Sequence, residues 1–246
     1  MDSASDSLLS SDSRKASLPR FLHTISSTSG GEQKLNQFTV IVCRSKEELA
    51  ARVATVVAAR SLEFVGDTYN IGLTVGATPS DSYDQLCQLY KRGIADLSRC
   101  HFWLLDEFFN QSVDPLTASG DRSSLPHRAE LTSSLLHSIP SEAIHGPELS
   151  PSGDLNAAVT TYKEKISFSP LDLVILSISP EGHVGWLNDS TNIDEDVHHV
   201  KIADVAETFS KGYTHCITLG LRHIMTAREV RPLQSPISFS VSPTQL

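Results

Sequence analysis

The sequence predicts a three-layer α/β/α fold on a mainly parallel, doubly wound sheet, with no legible last strand and helix. Three observations lead there. Short runs rich in Val, Ile and Leu alternate with longer stretches whose apolar residues recur at helical spacing, the pattern of strand–helix–strand units. The run LDLVILSIS (171–179) is almost continuously apolar and β-branched, as a strand buried on both faces is. Three such runs stop at small or polar residues, and a Rossmann-like parallel sheet would gather those stops along one edge.

Residues 1–34 are rich in Ser, Asp, Gly and Thr and poor in large apolar side chains, so they cannot offset their ordering entropy and are expected to be disordered. FTVIVC (38–43) reads as the first strand. Ser45 can cap the next helix, with Glu48 completing a capping box, and residues 46–62 place Leu49, Val53, Val56 and Val57 on one face. YNIGLTVGATP (69–79) reads as strand, turn and helix start, and the helix over 79–93 turns Tyr83, Leu86, Leu89 and Tyr90 inward. CHFWLLDEFF (100–109) reads as the third strand, stopping at Asp106 and Glu107. The polar stretch 110–125 is long for a compact domain and points to a functional or disordered loop. Helices are expected at 126–137 and 154–168, the fourth strand at 171–179, short strands at 198–202 and 214–218, and a helix over 219–228. Past Glu229, VRPLQSPISFSVSPTQL has three prolines and no period. The α/β domain is thus expected over 35–230 and an irregular tail over 231–246.

A net charge of −9 argues against nucleic acid or an anionic membrane as the main partner. No run approaches the roughly 20 apolar residues of a membrane helix. Cys43, Cys87, Cys100 and Cys216 lack disulfide or metal spacing and read as free thiols in a reducing compartment, so a cytoplasmic location is expected.

The chemistry-bearing residues sit at the strand ends. Gly76, Ala77 and Thr78 are small and precede Pro79, so an anion could approach the backbone N–H groups and the positive helix end. Asp106 and Glu107 are adjacent carboxylates, costly to bury unless used or paired. Glu181 and His183 follow the most apolar run, and alone this His reads more readily as a solvated loop residue.

Taken together, GATP (76–79), LDEF (105–108), SPEGHVGW (179–186) and THCITLGLRHIMTAREV (214–230) resemble, in order, the motifs of the glucosamine-6-phosphate deaminase and 6-phosphogluconolactonase superfamily. The resemblance covers about residues 38–230. Phe108 stands where the lactonase branch has Arg, and GHVGWLND departs from that branch's GH-x-A-S-L-F-P, so the chain is closer to the aminosugar isomerases. The resemblance implies a small phosphorylated sugar as substrate, no cofactor or metal, and an assembly that can be homo-oligomeric. The phosphate would lie on Gly76, Ala77 and Thr78. His183 would move a proton at the ring oxygen, oriented by an acid for which Asp189 stands one residue beyond the family position, held here by Asn188. Asp106 would carry a proton between C2 and C1 as a general base. In the lactonase alternative His183 activates water and Glu181 positions it. A third reading is a truncated or non-catalytic sugar-phosphate binder: the pattern fails past Glu229, position 181 is Glu where the family has Asp or Asn, Asp189 is displaced by one residue, and the family's basic residue for the phosphate after the last matched strand has no clear counterpart. Arg222, Lys211 and His223 read as a solvated helix face more readily than as anion partners.

Overall fold

The computed structural model describes residues 32–35, 38–76, 78–109, 139–149, 153–179, 183–187, 191–192, 194–202 and 213–234. Its centre is a five-stranded parallel sheet made of β3 (Tyr69–Leu73), β4 (Cys100–Leu104), β6 (Ile144–His145), β7 (Leu173–Ser177) and β10 (Glu229–Leu233), in the order β10-β7-β3-β4-β6. Period-two alternation divides its side chains between two cores. Phe102, Leu104, Leu173 and Ile175 face one way, against Val53 and Val57 of helix α1 (Lys46–Glu63) and Tyr83 and Leu86 of helix α2 (Ser80–Lys91). Trp103, Leu105, Val174 and Leu176 face the other way, against Ala158, Tyr162 and Ile166 of helix α3 (Leu155–Ser167). These two layers and the sheet between them are the expected three-layer α/β/α architecture.

A second, three-stranded antiparallel sheet lies on the α3 side, in the order β5 (Asp106–Phe109), β9 (His215–Leu219), β8 (Val197–Lys201). Phe109, Val197, Ile217 and Leu219 on its inner face join the α3 core, as does Ile224 of the short helix α4 (Leu221–Met225).

Local sequence explains the helix starts. The Ser45 hydroxyl accepts the Glu48 N–H at 3.2 Å, as a cap should, but the Glu48 carboxylate accepts the Arg44 N–H at 2.8 Å, so the box closes one residue early. Asp154 caps α3 by accepting the Asn156 and Ala157 N–H groups.

Four expectations need correction. The segment at 38–43 does not open the parallel sheet: β2 (Phe38–Ile41) pairs antiparallel with β1 (Glu32–Leu35) in a separate ribbon, which also begins inside the segment expected to be disordered. The run 100–109 is two strands rather than one that stops at the acids. It breaks at Leu105, whose N–H donates to Leu73 O in one sheet and whose carbonyl accepts the Leu219 N–H in the other. The absent last strand is overturned by β10, which pairs with β7 through Leu233 and takes in residues 231–233 of the tail expected from 231. Its proline is tolerated because β10 is an edge. The Glu229 N–H donates to Asp172 O and Leu233 O accepts the Ile178 N–H, so alternation turns the Pro232 nitrogen outward, where no donor is needed. The helix expected over 219–228 is also shorter, because Glu229 and its neighbours are taken into that strand. The loop at 110–125, the helix at 126–137 and residues 235–246 lie outside the described residues.

Candidate functional site

The strands that carry the three candidate motifs are immediate neighbours. β3 lies between β7 and β4, parallel to both, so the chain segments leaving their carboxyl ends emerge side by side. From β3 the connection runs to β4 on one side, whereas β7 lies on the other; this reversal is the switch point where open α/β sheets hold ligands. Thr74 ties the ends together: its hydroxyl accepts the Ser177 N–H at 3.1 Å, and its own N–H donates to Ile175 O at 3.1 Å.

At the end of β3, Gly76 has φ +140°, a region that side chains rarely enter, and a Cβ built there meets nothing within 4 Å. The glycine therefore serves the backbone turn and leaves open space above it. Its carbonyl accepts the Ser80 N–H at 3.2 Å, drawing the chain into α2, while the Tyr83 hydroxyl anchors that helix to Thr74 O. Thr78 is half-buried in the turn. Ser82, in the first turn of α2, is fully buried, with a hydroxyl that has no hydrogen-bond partner.

Asp106 and Glu107 open β5 and are both buried. They point to opposite faces of the sheet. Glu107 accepts the Phe108 N–H at 2.9 Å. Asp106 shares its face with Phe108 and stands opposite Thr218 of β9. Cys216 reports the charge there: burial first, then the Asp106 and Glu107 carboxylates, push its thiol well above the usual range, so it is an inert core thiol.

His183 follows β7 in a loop that folds back. The Ser179 N–H donates to His183 O at 3.0 Å, and the His183 N–H donates to the Ser179 hydroxyl at 3.1 Å. The loop then lies over the Asp106 face of the antiparallel sheet. Gly185, at φ +57°, comes so close that a Cβ there would be 2.9 Å from Thr218 Oγ1. Trp186 meets Phe108 edge-on at 5.1 Å between ring centroids, and the His183 ring lies 5.6 Å from the same indole. Phe108, Trp186, Ile202 and Cys216 form a small core of their own.

Thus the structure brings Gly76, Thr78, Asp106 and His183 to one edge of the sheet. Ala77, Glu181 and Asp189, with Asn188 and Lys211, lie outside the described residues. Arg222 is exposed and donates to Asp194 O at 3.1 Å, and His223 is half-buried, which pushes its imidazole down. Thr218, Gly185 and Trp186 are the contacts that sequence reasoning missed. The alternation of HCITL was visible, but which of its faces meets the loop depends on tertiary register. Among the described residues no three His, Cys, Asp or Glu side chains assemble as a metal site, and no helix is long and apolar enough to cross a membrane.

Comparison with known proteins agrees with this fold. Residues 44–234 match the family described as glucosamine-6-phosphate isomerases/6-phosphogluconolactonase. A glucosamine-6-phosphate deaminase of Cutibacterium acnes is 30% identical over 203 residues, covering 78% of this chain and 73% of the relative. One from Corynebacterium glutamicum is 25% identical over 200 residues, covering 78% and 74%. Among solved structures, a monomeric glucosamine-6-phosphate deaminase superposes with a TM-score of 0.64 at 21% identity, covering 77% of this chain and 79% of that one. A 6-phosphogluconolactonase from Trypanosoma cruzi gives 0.65 at 17% identity, covering 79% of each, so the fold is common to both activities. With its parallel sheet, its topological switch point and a match over most of its length, the chain belongs to the glucosamine-6-phosphate isomerase/6-phosphogluconolactonase family.

Proposed function

We propose that the chain is an amino-hexose 6-phosphate isomerase and deaminase, converting glucosamine or galactosamine 6-phosphate to a ketose 6-phosphate plus ammonia by acid–base chemistry without a metal. The observation that carries this reading is the docking of the His183 loop onto the strand of Asp106, through Gly185 on Thr218 and Trp186 on Phe108. An imidazole and a carboxylate held beside one crevice are what ring opening followed by proton transfer requires. The deaminase relatives at 25% and 30% identity support the same choice.

The substrate phosphate would lie on the turn at Gly76, Ala77 and Thr78, in the open space above Gly76 and against the amino end of α2. His183 passes a proton to the ring oxygen and opens the sugar. Asp106 takes the proton from C2 and returns it to C1, which turns the amino-aldehyde into an imine at C2. Water adds to that carbon and ammonia leaves. Glu181 and Asp189 are assigned here as partners that orient the imidazole. Trp186 and Phe108 give the reacting carbons a dry wall, which strengthens the charge interactions beside them.

The test is turnover. The purified chain should release ammonia and fructose 6-phosphate from glucosamine 6-phosphate. Asp106→Asn should abolish that release, and His183→Gln should lower it by about 10²-fold or more. Hydrolysis of 6-phosphogluconolactone without ammonia, unaffected by Asp106→Asn, would overturn the proposal in favour of a lactonase. Binding of the sugar phosphate without turnover would assign a non-catalytic relative.

A further inference from the structure

Asp106, Thr218 and His198 stand in one row across the three-stranded sheet, paired Asp106 to Thr218 and Thr218 to His198. All three are buried, on a face otherwise lined by Phe108 and Cys216. Polar groups placed in such a row are costly unless they have work to do. Thr218 is the middle of the three and is fully buried.

Two observations place its side chain. The Leu219 N–H donates to Leu105 O at 2.7 Å, which makes residues 105 and 219 a hydrogen-bonded pair. By alternation, residues 106 and 218 form the non-hydrogen-bonded kind, in which side chains approach most closely and Cα atoms lie about 4.5 Å apart. From the other direction, Thr218 Oγ1 is 2.9 Å from where a Cβ on Gly185 would sit, so the backbone of the His183 loop rests on this oxygen. Thr218 therefore has its oxygen against the loop that carries the imidazole and its backbone directly opposite the residue that carries the carboxylate. Its acceptor among the described residues is Leu219 O at 3.5 Å, the outer limit of a hydrogen bond, and a hydroxyl proton turns to whichever acceptor is better.

We propose that Thr218 is a positioning residue for the reaction: its O–H donates to the Asp106 carboxylate, and its oxygen sets the height at which the His183 loop lies above that carboxylate. The inference rests on the site reading given above. Asp106 is faced by Thr218 and Cys216 from β9, by His198 farther along the row from β8, and by the His183 loop; Glu107 points away on the opposite face of its own strand.

The experiment compares Thr218→Val, which keeps the β-branched shape and loses the hydroxyl, with Thr218→Ser, which keeps the hydroxyl. Thr218→Val should lower kcat by about 10- to 10²-fold with little change in KM. Thr218→Ser should stay close to the parent in both. A second readout needs no turnover. The chain has two tryptophans, Trp103 and Trp186, so 5-fluorotryptophan labelling gives two fluorine resonances, assigned with Trp186→Phe. The Trp186 resonance should move in Thr218→Val and hold in Thr218→Ser. If the parent turns over no amino-sugar phosphate, the functional reading fails, and the fluorine comparison still decides the positioning role. Should Thr218→Val not fold, Thr218→Ala supplies the variant lacking the hydroxyl. Hydroxyl-free and hydroxyl-bearing variants that agree in kcat and Trp186 resonance would overturn the proposal.

Discussion

Replacing Gly185 by Ala probes the loop contact most directly. The residue has φ +57°, and an added Cβ would stand 2.9 Å from Thr218 Oγ1, where ordinary contacts begin at 3.4 Å. The left-handed backbone costs an alanine about 1–2 kcal/mol. The clash adds to this because Thr218 is fully buried and β-branched, so its hydroxyl cannot swing aside. Relief requires the loop to lift by about half an ångström. For a chain of this size 1–2 kcal/mol lowers Tm by about 2–8 °C. Since a displacement of about 1 Å can cost 10²-fold in rate, half of that should cost roughly tenfold in kcat/KM. Thermal denaturation and an ammonia-release assay read the two effects. The double variant Gly185→Ala with Thr218→Ala removes the clashing oxygen, so it should show less loss of Tm than the two single losses added together. A Gly185→Ala protein that melts within about 1 °C of the parent at full kcat/KM would refute the contact, as would strict additivity in the double variant.

Two further outcomes follow from the packing. Burial pushes the imidazoles of His198, His215 and His223 below the ordinary value near 6.5, so the unfolded chain binds more protons at acid pH. Their contribution to stability is complete above about pH 6.5 and is lost as pH falls through the lowered values, so Tm should drop between about pH 6.5 and 5 and less steeply in His198→Asn; a flat Tm across that window would contradict this. Asp172 is 7% exposed and accepts the Asn70 N–H at 2.9 Å, with Arg228 at 3.2 Å. Asp172→Ala leaves that N–H without an acceptor and should cost about 1–3 kcal/mol in urea unfolding, whereas Asp172→Asn, which can still accept, should cost less; equal losses would show that the carboxylate's charge, not the bond, matters.

The sequence was legible where one local signal sufficed. Three apolar runs ending in small or polar residues were enough to place β3, β4 and β7 as parallel strands, because nothing but a doubly covered sheet buries such runs on both faces. It was misleading where long-range pairing overrode the local pattern. Pro232 reads as a break, yet it sits in β10 because an edge strand needs no donor on its outer side. The run ending at Asp106 reads as one strand, yet Leu105 hands the chain from one sheet to the other, which no periodicity reveals. Likewise Gly76 and His183 announced themselves by residue type, whereas Thr218 looked like any β-branched strand residue until β9 was found opposite Asp106.

Leu105 acts as a rivet. With its amide in one sheet and its carbonyl in the other, the two sheets cannot slide past each other without losing bonds on both sides of a single residue. The next residue inherits that constraint, so the carboxylate of Asp106 is carried on backbone held from both sheets. Slow hydrogen–deuterium exchange at the Leu105 and Leu219 amides, persisting until the whole domain unfolds, is the signature such a rivet would leave.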